Sequence, residues 1–147
     1  KSVLMMAQTK YKIGEFSRLG RVTVKTLRHY EKIGLLEDVE HRNGYQRIYN
    51  ESHIDRLNAI ECFKNALLPL DDIKLFFEYE KDIRSNSSKI VEMMKHQKNK
   101  SLEAMDKLKE GLVHIQKKIE YYSMIDKAIQ NNQDIPKWED FINLQSD

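Results

Sequence analysis

The first part of the chain shows short stretches of helical periodicity separated by residues that end helices. Apolar residues recur at helical spacing from Ile13 to Leu19, and the run Gly20-Arg21-Val22 interrupts this pattern. A second helix is predicted to begin after Thr23, a favourable N-cap, and to stop at Gly34. Its apolar positions are Val24, Leu27, Tyr30 and Ile33. Two short helices joined by a tight turn indicate a helix-turn-helix.

A hairpin is predicted directly after these helices. Asn43-Gly44 lies between residues that favour strands, and both positions of the tightest hairpin turn need a positive φ, which Asn and Gly tolerate. Asn50 is a candidate N-cap for a third helix over residues 51–67, and Pro69 separates that helix from a fourth at Leu70–Tyr79. Residues 10–79 are therefore predicted to form a winged helix-turn-helix domain.

Farther along, the apolar residues take the alternating 3-4 spacing of a coiled coil over roughly four heptads. The positions are Val91, Met94, Ser101, Met105, Leu108, Leu112, Ile115, Ile119 and Tyr122, with Lys98 in one slot. We call these positions the seam and the predicted domain at residues 10–79 the head. A helix of about 40 residues is ~60 Å long, so the head is too small to cover the whole seam. We therefore predict a homodimer. Packing of the helix back onto its own domain is the alternative.

These patterns predict a mainly α protein: a winged helix-turn-helix followed by a long coiled-coil dimerisation helix. Residues 1–9 are expected to be a tail, and residues 80–88 read as a polar linker. The dimerisation helix is placed at 89–130. Residues 131–147 form a short C-terminal tail with too few apolar residues to fold alone, so the tail is expected to dock on the dimer. A lid over a ligand is the alternative.

Composition excludes several classes of protein. With 33% charged and 40% hydrophobic residues and only short apolar runs, the chain resembles neither a disordered polymer nor a membrane protein. A single cysteine, Cys62, rules out an intramolecular disulfide and suits the cytoplasm. The five histidines lack metal-ligand spacing, and no phosphate-binding glycine loop or nucleophile elbow is present. We expect no enzyme activity, no metal and no cofactor.

Positive charge is concentrated near the N-terminus, where residues 10–30 hold six lysines and arginines and one acid. We expect this basic region to bind a polyanion such as double-stranded DNA. The alternative is a basic surface that contacts only solvent. Side chains on the first two turns of the second helix can reach base edges in the major groove. The side chains that we expect to contact the bases are Lys25, Arg28 and His29. Arg28 is suited to a bidentate hydrogen bond with a base.

Other candidate DNA contacts serve to position the protein. On the predicted hairpin we expect Arg42, Arg47 and Tyr49 to contact DNA phosphates beside the bases that the second helix contacts. Phosphate contacts carry no sequence information. Amides at the start of the second helix can hold a phosphate. The predicted set is completed by Arg18, Thr23 and Thr26.

Four runs of sequence together resemble one known family over residues 11–79. They are Tyr11-Lys-Ile-Gly-Glu-Phe-Ser, Val24-Lys-Thr-Leu-Arg-His-Tyr-Glu-Lys-Ile-Gly-Leu-Leu36, Arg47-Ile48-Tyr49 and Leu68-Pro69-Leu70-Asp-Asp-Ile-Lys74. They are similar to the head of the MerR family of bacterial transcription regulators. The resemblance implies an antiparallel dimerisation helix, and a homodimer that bends and untwists an overlong promoter spacer for RNA polymerase. By the same resemblance His29 and Lys64 contact the DNA backbone, while Gln46 departs from the wing of some members.

Cys62 has two interpretations. Its setting, Ile60-Glu-Cys-Phe-Lys-Asn65, resembles the branch of the family that responds to aldehydes and other electrophiles, although Leu67 replaces a small residue there. A lone cysteine on a core helix is also a common packing residue. No cysteine follows Cys62, which argues against sensing of a soft metal. The molecule that controls this regulator, its effector, is therefore left open, and a reactive electrophile is the candidate.

A second class of function competes with the regulator. A coiled-coil adaptor could use its small head to bind another protein without specific DNA binding. The basic second helix followed by a hairpin argues against this alternative, because a protein adaptor needs neither feature.

Overall fold

The computed structural model describes residues 9–146, so nearly all of the expected N-terminal tail lies outside the described residues. The elements are β1 (Tyr11–Lys12), α1 (Ile13–Gly20), α2 (Val24–Lys32), β2 (Glu40–Arg42), β3 (Gln46–Tyr49), α3 (Glu51–Asn65), α4 (Leu70–Glu80), α5 (Ile83–Gln130) and α6 (Trp138–Gln145). The mainly α prediction is confirmed. The chain divides into two compact units, the first ending at Asn99 and the second beginning at Lys100.

The helix-turn-helix has the predicted caps. The Thr26 amide donates to Thr23 Oγ1 at 3.0 Å, which caps the start of α2. Arg21 ends α1 in the left-handed region with φ 53°. Gly34 follows α2 with φ 82°, a conformation that glycine adopts without steric cost. Local chemistry therefore fixes the turn between α1 and α2 and the end of α2.

The wing is a three-stranded antiparallel sheet in the order β1-β3-β2. Asn43 and Gly44 have φ values of 52° and 79°, so the predicted hairpin turn is confirmed. The third strand, β1, was not predicted. It has two residues, and Tyr11 lies opposite Tyr49 in its register with β3.

The core of the first unit joins α1, α2, β3, α3 and α4. Its buried side chains include Phe16, Leu27, Tyr30, Leu35, Leu36, Tyr49, Leu57, Ile60, Leu68, Ile73 and Phe77. Asn50 caps α3 as predicted: its Oδ1 accepts from the Ser52 amide at 3.0 Å, and its own amide donates to His53 Nδ1. The other ring nitrogen of His53, Nε2, donates to the Glu37 carbonyl at 2.8 Å. These bonds let a buried histidine fix the segment that leads into the wing.

The predicted linker over residues 80–88 is largely helical, because α5 begins at Ile83. Asp82 Oδ1 accepts from the Ser85 amide at 3.3 Å, as an N-cap does. The Asn86 side chain also donates to the Tyr79 carbonyl, which ties the start of α5 to the end of α4. The prediction was wrong here because an exposed, polar first turn has no apolar period, although Asp82 is a cap signal.

The first turns of α5 pack on the head. Met94 contacts the core, and Gln97 Nε2 donates to the Ala66 carbonyl at 2.9 Å. In the second unit the apolar seam residues of α5 are exposed. Met105, Leu108, Leu112, Ile115, Ile119 and Tyr122 are each between 51% and 65% exposed.

The C-terminal segment folds against α5 of its own chain. Tyr121 donates its hydroxyl hydrogen to the Pro136 carbonyl at 2.7 Å, and its ring lies 5.1 Å from Trp138 and 5.6 Å from Phe141. Lys118 Nζ lies 3.9 Å from the centre of the Trp138 ring. Aromatic contacts and this cation–π pair therefore hold α6 within the second unit. Docking of the segment on a dimer stays a prediction.

Candidate DNA-binding surface

Helix α2 exposes its basic side chains on one face. Leu27 and Tyr30 are buried, while Lys25, Arg28 and His29 are exposed at spacings of three and four residues. The hydroxyls of Thr23 and Thr26 lie 2.9 Å apart at the start of the helix. Because the apolar face of α2 is buried, the three side chains predicted to contact the bases face solvent. Their contacts with DNA stay a prediction.

The wing is fixed to α2 through Glu31, which the sequence analysis did not single out. Arg47 Nε donates to Glu31 Oε2 at 2.5 Å, and His41 Nε2 donates to Oε1 at 2.7 Å. Burial acts to raise the pKa of Glu31, but hydrogen bonds from Arg47 and His41 outweigh it and leave the pKa lowered. One carboxylate thus connects both hairpin strands to α2, and Arg47 has a positioning role besides any phosphate contact.

We expect Glu31→Gln to lower the free energy of unfolding by about 1–2 kcal/mol, because the glutamine amide has one acceptor oxygen, which can keep one ordinary hydrogen bond, while its NH2 group cannot accept the second. Since the pKa of Glu31 is lowered in the folded head, this stabilisation is present near neutral pH. It disappears as the pH falls through that folded pKa. Urea unfolding at two pH values measures both effects. Glu40→Gln is the matched control, because Glu40 pairs with the exposed side chains of Arg42 and Lys10. Equal losses of unfolding free energy in the two variants would show that the hydrogen bonds of Glu31 to the wing do not stabilise the head.

Tyr49 is a core residue, and its predicted phosphate contact is wrong. Its side chain is fully buried, and its ring stacks on Phe16 with centroids 4.4 Å apart. The hydroxyl has no hydrogen-bond partner among the described residues, and burial raises the pKa of Tyr49 to about 12. Successive strand residues point to opposite faces, yet Ile48 and Tyr49 are both buried, because Tyr49 ends β3 and packs its ring against Phe16 on α1 and His53 on α3.

The remaining predicted contacts lie on separate elements. Lys64 on α3 donates to the Tyr30 hydroxyl at 3.0 Å, and this hydrogen bond raises the pKa of Lys64. The Lys64 side chain therefore supports α2 while remaining 41% exposed. Arg18 is exposed on α1. Arg42 is exposed on β2 and pairs with Glu40 at 3.0 Å.

Cys62 does not pack in the core of its own head. Its side chain is exposed on α3, whereas Ile60 is fully buried and Phe63 partly buried. The packing interpretation is therefore wrong for the core of this chain. Lys64 is two residues away on the helix, a spacing that points side chains in different directions, and it bonds to Tyr30.

A cleft of about 290 Å³ lies where the start of α1, α2 and the wing meet. We call it the basic cleft; its lining residues are Lys12, Ile13, Arg28, Tyr45, Gln46 and Arg47. Lys12, Tyr45 and Gln46 were not predicted to be part of the DNA-binding site. Lys12 belongs to the N-terminal cluster of bases, and Tyr45 directly follows the hairpin turn and is 78% exposed. Charge and turn position were the available signals for these two.

Sequence comparisons support a common origin for this architecture. The model of the MerR HTH family regulatory protein matches residues 11–80. The chain is also 30% identical over 124 residues to the HTH-type transcriptional regulator ZntR homolog of Haemophilus influenzae. That alignment covers 84% of this chain and 87% of the relative. This chain belongs to the MerR family. The proteins it resembles are transcriptional regulators, and a DNA-contacting role for the exposed face of α2 stays a prediction.

Other relatives of this MerR family protein share its head or its fold. The HTH-type transcriptional activator TipA of Streptomyces coelicolor is 36% identical over 63 residues, which are 43% of this chain and 25% of TipA. The chain therefore matches only a quarter of the length of that relative. The structure of HiNmlR, a MerR family regulator lacking the sensor domain and bound to promoter DNA, has a TM-score of 0.69 at 23% identity. The superposition covers 85% of this chain and 92% of HiNmlR, and it shows a shared fold.

No group of three or more histidine, cysteine, aspartate or glutamate residues between 9 and 146 is arranged to hold a metal ion. Within the same residues, no helix has the length and apolar character required to cross a membrane.

Proposed function

We propose that this MerR family protein regulates transcription by binding promoter DNA as a homodimer and distorting the promoter spacer. The observation that carries the proposal is the exposed basic face of α2 beside a wing that Glu31 holds in place. A rigid helix and wing can present base contacts and phosphate contacts in one fixed geometry. A regulator of this kind acts in the bacterial cytoplasm and needs no catalytic step.

Individual side chains have distinct roles in this proposal. Lys25, Arg28 and His29 enter the major groove, where Arg28 can make a bidentate contact with a guanine and His29 can also contact the DNA backbone, as the family resemblance implies. Contacts to phosphates set the position of the head on the duplex. These come from Arg18, Arg42, Arg47, Lys64 and the helix start at Thr23 and Thr26.

The homodimer is proposed from the exposed seam of α5. Six apolar side chains at 3-4 spacing are more than half exposed, and a continuous apolar stripe of this length calls for a partner helix. A second copy presents the same stripe, and two copies pack along it in the antiparallel arrangement that family resemblance implies. Two heads then require a DNA site with two-fold symmetry.

The proposal is tested by selecting DNA from a random pool with the purified protein and measuring affinity at several salt concentrations. We expect a two-fold-symmetric site whose halves lie one helical turn, ~34–36 Å, or a multiple of it, apart. The affinity should fall steeply with salt, because bound phosphates release counterions. A pool without enriched sequences, together with capture of the head by a protein, would favour the adaptor function.

Spacer distortion is the part of the proposal that involves RNA polymerase. Bending a site of this size costs of order 1–6 kcal/mol, which phosphate contacts by both heads offset. Fluorescence transfer between dyes at the two ends of the selected site measures the bend directly. A straight duplex in the complex would contradict distortion while leaving DNA binding intact.

We also propose Cys62 as the residue that reacts with the effector, taken as an electrophile such as an aldehyde. Its exposure gives reagents access to the thiol. We expect Cys62→Ser to keep the affinity for DNA within about twofold of the unmodified protein, because the side chain lies outside the core. The same variant should lose the transcriptional response to aldehydes in a reporter assay. A normal response would show that the effector acts elsewhere.

A further inference from the structure

The basic cleft has the charge and shape of an anion site. It is formed by three elements, with Lys12 at the start of α1, Arg28 on α2 and Arg47 on β3. Among the described residues the cleft is lined by three bases and no acid. Glu31 already holds Arg47 through its Nε atom. No carboxylate of residues 9–146 forms an ion pair with Lys12 or Arg28, so these two carry the uncompensated positive charge of the cleft.

The start of α1 adds hydrogen-bond donors to this charge. Lys12 is the N-cap residue of α1, and no side chain caps the first turn. The first N–H groups of a helix have no partner within the helix, and the helix dipole makes them favourable toward an anion. Ile13, the first residue of α1, lines the cleft. Lys12 and the first residue of this uncapped helix therefore both line one concave surface, the kind of place where a helix start can bind an anion.

We propose that the basic cleft holds one phosphate of the DNA backbone, with the Lys12 ammonium group and the first amides of α1 as its ligands. Tyr45, at the exposed tip of the wing, covers the adjoining sugar. This inference rests on the proposed DNA-binding function and adds Lys12 and the start of α1 to the predicted phosphate contacts. Arg28 lies both on the reading face of α2 and in the wall of the cleft, so a duplex against α2 brings its backbone to this site. A free phosphate would lack that second contact.

The salt dependence of DNA binding tests the proposal with Lys12→Gln. Loss of one phosphate contact should reduce the slope of log affinity against log salt by about 0.9 for each head on the DNA. The preference among DNA sequences should not change, because a phosphate contact carries no sequence information. Lys12→Arg should restore the slope. Lys10→Gln removes the same charge two residues earlier, where the ammonium group pairs with Glu40 at 3.1 Å, and should leave the slope unchanged.

Two controls separate the possible outcomes. Urea unfolding confirms that Lys12→Gln is as stable as the unmodified protein, and ethylation of single phosphates in the selected DNA should show one fewer sensitive phosphate per half-site for this variant. An unchanged slope with an unchanged ethylation pattern overturns the inference alone. An equal loss of slope in Lys10→Gln also overturns it, because the effect would then follow net charge. Failure of the unmodified protein to bind any DNA overturns the proposed function and this inference together.

Discussion

Replacing both Leu112 and Ile115 with glutamate is expected to convert the dimer into monomers. The two side chains are 56% and 55% exposed in the single chain and occupy neighbouring positions of the 3-4 seam. In a dimer they become buried, and a carboxylate taken out of water without a partner costs several kcal/mol. The double substitution introduces four such charges in two chains. Dimerisation should therefore be lost at micromolar concentrations, as measured by light scattering or sedimentation.

Val113 provides the matched control for this experiment. It is 57% exposed, as apolar as its neighbours, and one position outside the seam. Val113→Glu should therefore remain dimeric. A dimer that survives both seam substitutions would show that α5 associates through another face or not at all. Circular dichroism separates dissociation from unfolding, because a dissociated chain keeps the helical signal of its head.

Sequence patterns predicted those parts of the fold that local chemistry determines. Thr23, Asn50 and the Asn43-Gly44 turn each act within a few residues, and the structure has all three as expected. The long 3-4 pattern likewise predicted a long helix. The same pattern identified which side of this helix is apolar, and that side is exposed in the single chain. No tertiary contact had to be known to predict it.

Features that depend on distant contacts were not predictable in this way. The strand β1 exists because two residues pair with β3, and two residues are too few to show a period. The contact of Glu31 with Arg47 joins positions 16 residues apart, and sequence alone does not indicate which acid accepts from which base. Tyr49 was assigned to DNA because a hairpin suggested exposure, whereas the start of α3 and Phe16 enclose it.

Arg28→Ala is expected to remove most of the sequence preference of DNA binding. Arg28 is exposed in the middle of α2, three residues after Lys25 and directly after the buried Leu27. A bidentate arginine contact to a base contributes about 1–3 kcal/mol of discrimination, which corresponds to about 5- to 150-fold in affinity for each head. Two heads in the dimer double that free energy on the selected site. Binding to unrelated DNA should fall much less, because most phosphate contacts remain.

The measurement compares the affinities of Arg28→Ala for the selected site and for a scrambled duplex at one salt concentration. Arg84→Ala removes an exposed arginine from the first turn of α5 and controls for the loss of charge. Lys12→Gln is the informative contrast, because it should weaken both duplexes by a similar factor. The two variants therefore separate base reading from phosphate binding even though Lys12 and Arg28 line the same cleft. If Arg28→Ala keeps the full ratio between the two duplexes, α2 does not read the sequence through this side chain, and Lys25 and His29 become the remaining candidates.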